Sequence, residues 1–212
     1  KSDLVLAGLP WFLATFKKLG VDLQNITEFE GKKFKAGEEI KLTSSMPLAV
    51  ALSGERVALN LLQKASSIAT FTNRFVEIAS PLGIKILDTR KTTPGLRNLE
   101  KYSVVKGGGY NHRMGQTDLW MVKDNHKNCF GGLKQAVEFF RSLHGFYTPI
   151  EVEIHSVDEI NIALELGVKH LMLDNFSGEQ IHQAIKLKIP GVTYEISGGV
   201  NLSNIKDYCI SG

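Results

Sequence analysis

The chain has 212 residues, of which 43% are hydrophobic and 22% charged, and its formal net charge is +3 at pH 7. This composition is ordinary for a globular protein, and the length is enough to bury one or two hydrophobic cores. A charge this small argues against a surface built to bind nucleic acid. It leaves room for a local cationic pocket that binds a small anion.

The cysteines and one apolar segment indicate the compartment of the protein. Cys129 and Cys209 lie far apart and outside any metal-binding spacing, which predicts free buried thiols in a reducing compartment, and so a cytoplasmic protein. The apolar run Leu4–Phe16 is too short to span a bilayer and contains Pro10. We therefore expect a core helix there and no membrane partner.

The first 50 residues predict a small α+β layer. They contain a helix at about Pro10–Leu19 and two strand-like runs, Ile26–Glu28 and Ile40–Thr43, with the turn-like "EGKKFKAGEE" between those runs. A strong helical pattern follows, with apolar residues on one face. Gly54 and Pro81 mark its limits, and the pair Ser66-Ser67 is a point at which it could divide into two helices.

From Gly83 onward, strand-like runs alternate with helical segments, which predicts parallel βαβ units. The predicted strands are Ile84–Asp88, Trp120–Lys123, Ile150–Ile154, His170–Asp174 and Thr193–Ile196. The predicted helices between the later strands are Gly132–Leu143, Val157–Leu166 and Gly178–Leu187. Every strand carries polar residues at or near its carboxyl end. In an open sheet only the ends beside the switch point would serve a site, so five such strands favour a closed barrel with one active-site mouth.

The loop "DTRKTT" after the first of these strands concentrates positive charge. Adjacent Arg90 and Lys91 would ordinarily be a solvated pair. Here they follow a predicted buried strand and precede a Pro-Gly turn, which favours a place over the barrel mouth. The planar fork of Arg suits a carboxylate, and the compact Lys ammonium suits a phosphate. Arg97 could join them or pair with Glu100, and the spacing does not decide between these.

A second group of candidates follows in "KGGGYNHRMG". The run Gly107–Gly109 predicts a flexible loop that permits close approach, and it is a weak sign of phosphate binding by itself. His112 alone would more often be structural. Beside Arg113 it is as readily catalytic as structural.

Lys123 ends the second predicted strand, in "MVKDNH". It is a solvated cation, an anion-binding residue or a Schiff-base lysine, as in class I aldolases. Asp124 and His126 form a weak metal-binding pair, because the sequence offers no third ligand beside them.

Two carboxylates and a glycine pair complete the predicted mouth. Glu151 and Glu153 point to one face of their strand, and Glu153 with Asp174 could hold sugar hydroxyls or hydrated Mg²⁺, or act as an acid and base. Alternatively, one of the glutamates forms a salt bridge to a neighbouring strand. Ser197-Gly198-Gly199, before a helix expected to start at Asn201, predicts a phosphate cradle. Cations, carboxylates and a cradle together suit a phosphorylated sugar.

The segments that carry these residues resemble those of the quinolinate phosphoribosyltransferase family, the carboxylating nicotinate-nucleotide pyrophosphorylases. They keep the family's spacing from about Leu6 to Gly212, and they are "GERVALNLLQKASSIAT", "LDTRKTTPGLRNLEKYSVVKGGGYNHRMG", "MVKDNH", "VEI", "MLDNF" and "EISGGV". The resemblance implies an α/β fold, with an N-terminal α/β sandwich at residues 1–66 and an incomplete (β/α) barrel at residues 67–212. It also implies Mg²⁺ as cofactor, and a homodimer or higher homo-oligomer.

The resemblance further implies a reaction and a role for each matching residue. Quinolinate and phosphoribosyl pyrophosphate would give nicotinate mononucleotide, pyrophosphate and CO₂ in NAD biosynthesis. Arg90, His112 and Arg113 would hold the carboxylates of quinolinate, with Thr89 also among the substrate-binding residues. Lys91 and Lys123 would bridge the two substrates.

The remaining roles concern the phosphoribosyl donor and the neighbouring subunit. Glu153 and Asp174 would take the ribose hydroxyls and the Mg²⁺-pyrophosphate, either directly or through water. These two carboxylates, with Lys91 and Lys123, form the implied catalytic set. Ser197, Gly198 and Gly199 would cradle the 5′-phosphate. Arg56 would reach into the active site of the neighbouring subunit.

Three rival interpretations remain open at this point. They are a related branch of barrel proteins linked to molybdenum transport genes, an aldolase that uses Lys123, and a non-catalytic nucleotide-binding scaffold. The arginine and histidine set for a dicarboxylate argues against the first. We also expect the chain to lack residues at both ends, since the family has a further helical segment before Leu4 and a second phosphate-contacting loop after "ISG". Without that loop, the phosphate site would be half built.

Overall fold

The computed structural model describes residues 2–23, 26–41, 43–143, 145 and 147–210. The chain divides into two compact units, Lys1–His112 and Arg113–Gly212. The predicted domain boundary between residues 66 and 67 lies inside a helix of the first unit and stays a prediction. Within the described ranges, no helix has both the length and the apolar character needed to cross a membrane.

The first unit begins with a short antiparallel strand pair and a helix. Its first elements are β1 (Leu4–Val5), α1 (Leu9–Lys18), a 3-10 turn (Thr27–Phe29) and β2 (Lys33–Phe34). The helix prediction near Pro10 is confirmed. The helix begins where the Glu30 carboxylate accepts the N–H groups of Gly8 and Leu9 at 2.8 and 2.9 Å, which satisfies donors that a helix start leaves open.

Both early strand predictions are wrong. Ile26–Glu28 mostly falls in the 3-10 turn, while residues 40, 41 and 43 belong to no strand and Leu42 lies outside the described residues. The strand β2 lies instead within the segment predicted as a turn. Backbone bonds between Leu6 and the pair Gly31 and Lys32, at 2.7 and 3.0 Å, align this segment with β1, as their register shows.

The long helix α2 (Leu48–Ala79) is continuous, so the predicted break at Ser66-Ser67 is wrong. It also begins six residues before Gly54 (54 − 48), and a 3-10 turn at Ser80–Leu82 follows it. The serine hydroxyls do not compete with the helix. The Ser66 hydroxyl bridges the backbone N–H and C=O of Ala7, both at 3.1 Å, and that of Ser67 donates to Gln63 one turn earlier.

Small side chains along α2 let the chain pack closely around it. Buried positions of α2 are Gly54, Ala58, Ala65, Ala69, Thr72 and Ala79. A Cβ on Gly107, at the end of α3 (Arg97–Lys106), would lie 2.4 Å from the carbonyl oxygen of Ala69. The glycine run that was weighed as a phosphate loop therefore allows a close approach to α2.

The second unit contains a parallel four-stranded sheet with the strands in sequence order. Its strands are β3 (Trp120–Val122), β4 (Ile150–Ile154), β5 (His170–Asp174) and β6 (Thr193–Ser197). Its helices are α4 (Asp124–Phe130), α5 (Leu133–Leu143), α6 (Val157–Glu165), α7 (Gly178–Leu187) and α8 (Ile205–Tyr208). The predicted strand–helix alternation is confirmed for this unit, and the mixed α/β class with it.

The core of the second unit forms where the apolar residues of its central strands are buried, and two of its helices start at serine side chains. All five residues of β4 are buried, including the apolar Val152 and Ile154. Ser156 and Ser177 cap α6 and α7, where their hydroxyls accept the N–H of the residue three positions on. These two serines thus set the starts of α6 and α7, which follow the ends of β4 and β5.

Both cysteines are free, as predicted, but only one of them is shielded. Cys209 is half-buried, and burial raises the pKa of its thiol. Cys129 is exposed, so the prediction of two buried thiols is wrong for this residue. It lies on the outer side of the short helix α4.

Candidate functional site

Four polar side chains lie at or next to the carboxyl ends of the four parallel strands of the second unit. Lys123 follows β3, Glu153 is the fourth residue of β4, Asp174 ends β5 and Ser197 ends β6. Asp174 and Ser197 are direct partners in the register of the sheet. Because carboxyl ends of parallel strands share one edge, the structure brings these four predicted site residues to one edge of the sheet.

Glu153 is a buried carboxylate paired with a cation. Its residue is 8% exposed, and Lys123 Nζ lies 3.0 Å from its Oε2. The alignment falls short of a hydrogen bond, so Oε2 is a buried oxygen without a hydrogen-bond partner among the described residues. Burying a carboxylate oxygen without a hydrogen bond costs free energy, unless a bound ligand supplies the missing contact.

A second lysine, Lys127, is buried and contacts the backbone of Glu153. Lys127 donates to both carboxylate oxygens of Glu159 at 2.9 Å and to the backbone oxygen of Glu153 at 3.1 Å. Since the lysine lies on α4 and Glu159 on α6, this ion pair fixes the two helices around the end of β4.

Asp174 is held in place by the residue that follows it. Asn175 donates its side-chain N–H to Asp174 Oδ2 at 2.7 Å and has φ of 56°, in the left-handed region that few residues other than Gly and Asn adopt. Its backbone N–H donates to the carbonyl oxygen of Ser197 at 2.8 Å. The carboxylate therefore has a fixed direction relative to β6.

A histidine joins the two carboxylates. One ligand atom from each of Glu153, His155 and Asp174 lies within 4.8 Å of the others, and His155 Nδ1 is 3.9 Å from Asp174 Oδ2. The two carboxylates, with the buried Glu153 Oε2 lacking a hydrogen-bond donor among the described residues, are suitable ligands for a hard divalent cation such as Mg²⁺. His155 was not singled out from the sequence, although it continues the alternation that places Glu151 and Glu153 on one face.

The glycine pair after β6 has a conformation that only glycine adopts easily. Gly198 has φ of 93° and Gly199 has φ of 67°. A Cβ on Gly198 would lie 2.2 Å from Asn175 Oδ1. The helix expected at Asn201 is wrong, because residues up to Asn204 form turns whose side chains bond back to Gly199, and α8 begins only at Ile205. Any phosphate contact here relies on the glycine loop itself.

In the first unit, Asp88 is the centre of a buried network. Its Oδ1 accepts a hydrogen bond from Lys101 Nζ in a close ion pair and from the backbone N–H of His112 at 2.9 Å. Lys101 Nζ also donates to the His112 carbonyl oxygen at 3.0 Å. With its amide nitrogen turned toward them, Asn111 donates to Asp88 Oδ2 at 2.6 Å and to the Lys101 carbonyl oxygen at 3.0 Å. The network fixes the backbone that carries the predicted site residue His112.

The segment before this aspartate differs from the prediction. Ile84–Asp88 is not a buried strand, since Leu87 is 38% exposed and makes a single parallel bridge to Tyr110. Two backbone hydrogen bonds support that bridge, from Tyr110 to Ile86 at 2.8 Å and from Asp88 to Tyr110 at 3.1 Å. Pairing that short holds an extended segment without making a strand of it. Asp88 is placed mainly by Lys101.

The loop after Asp88 presents the predicted cations in different ways. Arg90 is half-buried, and its Nη1 is a buried nitrogen without a hydrogen-bond partner among the described residues. Thr89 and Lys91 are exposed, and the Thr89 hydroxyl accepts the Lys91 N–H at 3.0 Å. A buried guanidinium nitrogen with unmet hydrogen-bonding capacity is what an anion-binding arginine needs.

Arg97, whose role the sequence left open, braces this loop. Its Nε donates to the Thr92 hydroxyl at 3.2 Å and its Nη2 to the Arg90 carbonyl oxygen at 3.4 Å. Glu100 accepts the Thr93 N–H at 3.2 Å and pairs with Lys64 at 2.9 Å. Burial would raise the pKa of Glu100, but the contacts with Thr93 and Lys64 outweigh it and the pKa is lowered. The loop is thus anchored at both ends.

The other predicted residues have less distinctive surroundings. Arg56 is exposed on α2. Arg113 is half-buried, and its Nη1 donates to the Leu119 carbonyl oxygen at 2.7 Å. His126 Nδ1 accepts the Lys123 backbone N–H at 2.9 Å, so its ring caps α4 and is not positioned as a metal ligand with Asp124.

Comparisons with known proteins give a consistent family assignment. The family model "Quinolinate phosphoribosyl transferase, N-terminal domain" matches residues 1–66, and the corresponding C-terminal domain model matches residues 68–212. The chain is 40% identical over 206 residues to a probable carboxylating nicotinate-nucleotide pyrophosphorylase of Bacillus subtilis, covering 97% of this chain and 71% of that one. It is 40% identical over 214 residues to the rat nicotinate-nucleotide pyrophosphorylase, covering 99% of this chain and 71% of the relative.

Solved structures agree with these relatives. The crystal structure of NadC from Streptococcus pyogenes matches with a TM-score of 0.88 at 40% identity, over 98% of this chain and 74% of that one. The nicotinate-nucleotide pyrophosphorylase of Ehrlichia chaffeensis matches with a TM-score of 0.84 at 31% identity, over 98% of this chain and 76% of that one. The chain belongs to the quinolinate phosphoribosyl transferase family.

Proposed function

We propose that the protein transfers the phosphoribosyl group of phosphoribosyl pyrophosphate to quinolinate with loss of CO₂. The products are nicotinate mononucleotide and pyrophosphate, and the reaction belongs to NAD biosynthesis. The observation that carries the proposal is the 40% identity to carboxylating nicotinate-nucleotide pyrophosphorylases over nearly the whole chain. The residues with unmet hydrogen-bonding capacity, a buried cation and a buried carboxylate, support it.

For quinolinate, the proposed contacts are the cations of the loop after Asp88 and the residues around position 112. Arg90 would bind one carboxylate with its guanidinium, because its buried Nη1 lacks a hydrogen-bond partner among the described residues. His112 and Arg113 would contact the same substrate, with Thr89 beside them. The Asp88–Lys101 network supports this by fixing the His112 backbone.

For phosphoribosyl pyrophosphate, the proposed contacts are the residues at the strand ends of the second unit, together with Lys91. Glu153 and Asp174 would accept hydrogen bonds from the ribose hydroxyls and hold Mg²⁺, directly or through water. Lys91 and Lys123 would contact both substrates. Ser197, Gly198 and Gly199 would bind the 5′-phosphate through their backbone N–H groups and the serine hydroxyl. Bound Mg²⁺ neutralises the charge of the pyrophosphate group.

The chemistry needs alignment and electrostatics more than a covalent catalyst. The quinolinate nitrogen forms a bond to ribose C1 as the bond from C1 to the pyrophosphate oxygen breaks, and positive charge develops on the ribose. Glu153 and Asp174 would stabilise that charge, and Arg90 would hold the ring in line. The resulting pyridinium accepts the electron pair as the adjacent carboxylate leaves as CO₂, and the ring carbon then takes a proton.

The finer architecture and the assembly are part of the same proposal. The four-stranded parallel sheet would be part of an incomplete (β/α) barrel, with an α/β sandwich built from residues 1–66. The protein would work in the cytoplasm as a homodimer or larger homo-oligomer. Exposed Arg56, on α2, would then reach the active site of the neighbouring subunit.

The direct test is an assay of the full-length protein with quinolinate, phosphoribosyl pyrophosphate and Mg²⁺. We expect CO₂ and nicotinate mononucleotide in equal amounts. The CO₂ is measured as label released from the 2-carboxylate, and the nucleotide is measured by chromatography. Nicotinate in place of quinolinate is the matched control, since it lacks the carboxylate that leaves. Absence of both products from quinolinate would reject the proposal, and a substrate trapped on Lys123 by borohydride would favour the aldolase alternative.

A substitution in the glycine loop tests the phosphate contact. In Gly198→Ala the new Cβ meets Asn175 and the residue keeps a left-handed φ, so the loop must shift. We expect the KM for phosphoribosyl pyrophosphate to rise about tenfold or more, in line with about 1–3 kcal/mol of local strain. The KM for quinolinate should change much less.

The matched control for this substitution is Gly191→Ala, also at a positive φ but with open space around the new Cβ. It carries the same kind of backbone strain without the collision, so its KM values should stay close to those of the wild type. An unchanged KM for phosphoribosyl pyrophosphate in Gly198→Ala would remove this loop from the phosphate site.

A further inference from the structure

His155 is a chemically active side chain that the mechanism above does not use. It follows β4 directly, on the same face as Glu153, and it is exposed at the edge of the sheet. Its Nδ1 lies 3.9 Å from Asp174 Oδ2, and it forms a cluster with both carboxylates that spans no more than 4.8 Å. Its backbone N–H donates to Glu159 at 2.8 Å, which fixes the start of the loop.

The two carboxylates of the cluster are held for a ligand. Glu153 Oε2 is buried and lacks a hydrogen-bond partner among the described residues, although the Lys123 ammonium lies nearby. Asp174 is fixed by Asn175, which bonds its Oδ2. Outer residues that orient carboxylates and backbone in this way are typical of metal sites. The Lys123 ammonium lies where a bound cation would contact Glu153. Because the Lys123 side chain is 41% exposed, it can move away when a cation binds.

The addition of an imidazole changes which ions such a pair of carboxylates prefers. Mg²⁺ binds oxygen ligands and water, whereas imidazole nitrogen is a better ligand for first-row transition ions. Among those ions Mn²⁺ is the one that also suits carboxylate ligands, so a site with two carboxylates and one imidazole discriminates in its favour against Mg²⁺. Ligands at about 2.1 Å from one ion lie roughly 3 Å apart when adjacent. Ligand atoms that now lie up to 4.8 Å apart must therefore approach one another by as much as about 2 Å, and the exposed His155 ring can rotate toward the carboxylates.

We propose that His155 is a third protein ligand at the Glu153 and Asp174 cation site, and that it makes the site prefer Mn²⁺ over Mg²⁺. The inference deepens the proposed function, because it concerns the cation that accompanies the phosphoribosyl donor. It is tested with the metal alone, so the result does not depend on turnover.

The experiment is a titration of the full-length protein with Mn²⁺, followed by electron paramagnetic resonance, and with Mg²⁺ as competitor. Pulsed measurements of the bound Mn²⁺ detect a directly coordinated nitrogen. We expect the nitrogen signal in the wild type and its loss in His155→Gln. The variant should also bind Mn²⁺ about tenfold more weakly, with a change of less than about twofold for Mg²⁺.

The matched control is His182→Gln, which removes an exposed histidine of α7 from the same unit. It should keep both the nitrogen signal and the affinity ratio of the wild type. A wild-type spectrum in which bound Mn²⁺ has no nitrogen ligand would overturn the proposal without any variant. A nitrogen signal that persists in His155→Gln, or equal losses for both ions, overturns it as well.

This outcome is separable from that of the assay with quinolinate. An enzyme that makes nicotinate mononucleotide while showing no nitrogen ligand on Mn²⁺ would reject the role of His155 alone. A protein that binds Mn²⁺ through His155 without making product would reject the proposed reaction and leave the metal site standing.

Discussion

Replacement of Arg90 by alanine is expected to lower kcat/KM for quinolinate by about a thousandfold, the size of effect that loss of a desolvated charge pair produces. The guanidinium would form paired, charge-assisted hydrogen bonds to a carboxylate, a geometry that the neighbouring Lys91 ammonium does not offer. Its buried Nη1 lacks a hydrogen-bond partner among the described residues, so we expect the fold to remain. Calorimetric titration with quinolinate and a thermal melt measure the two effects separately.

The control for this prediction is Arg90→Lys, which keeps the positive charge and removes the planar guanidinium that can form two parallel hydrogen bonds. It should bind quinolinate with an affinity between those of the wild type and the alanine variant. Binding of phosphoribosyl pyrophosphate should be nearly unchanged in both variants. Wild-type affinity for quinolinate in Arg90→Ala would show that this residue lies outside the substrate site.

The Lys101→Met substitution is expected to destabilise the protein by about 3–5 kcal/mol, because it leaves a buried carboxylate without its cation. The side chain of Lys101 is 1% exposed and that of Asp88 5% exposed, so water cannot replace the lost partner. The His112 backbone loses a contact in the same step. Denaturant unfolding of the first unit, followed by the fluorescence of Trp11, measures the loss.

The double variant Asp88→Asn with Lys101→Met separates the cost of an unpaired charge from that of lost packing. It removes both charges, so it should recover a large part of the lost stability. It should not recover activity, since the His112 carbonyl oxygen remains without the hydrogen bond that Lys101 donates. A loss below about 1 kcal/mol in Lys101→Met, typical of surface pairs, would contradict the burial of this pair.

The second unit could largely be predicted from the sequence because its signals are local. Short runs such as His170–Asp174, in which three buried apolar residues lie between polar ends, indicate buried strands. Ser156 and Ser177 mark helix starts with their own side chains. Each strand end that was predicted as a site position carries its polar residue at the same edge of the sheet. The family resemblance rests on these segments together with segments of the first unit, and the reaction was what that resemblance implied.

The first unit was harder to predict because its determinants are contacts between distant residues. Ser66-Ser67 looked like a helix break, yet Ser66 bonds the backbone of Ala7, which is 59 positions away. The β2 strand forms because the backbone around Gly31 bonds Leu6, and no local pattern encodes that. Tertiary contacts overrode local propensity in both cases.

The sequence predicted the residues of the candidate site itself. It did not predict the buried ion pairs that hold those residues in place. Lys101 and Lys127 are buried cations that a sequence pattern assigns to the surface, since lysine is almost never buried without a partner. Their partners, Asp88 and Glu159, lie 13 and 32 positions away. His155 carried a usable signal, because it extends the alternation of Glu151 and Glu153, but a single histidine after a strand has many ordinary explanations.

The uninterrupted course of α2 matters for anyone who wishes to produce parts of this protein separately. A cut between residues 66 and 67 would split one helix, and would part Ser66 and Ala65 from Ala69 and Thr70 on the next turn. Thr70 accepts the Val5 N–H at 2.9 Å, and the Ser66 hydroxyl accepts the Ala7 N–H. Residues on both sides of the cut therefore contact the same segment, at and just after β1. A fragment that ends after His112 keeps these contacts together, and is the better choice for expression and for isotopic labelling.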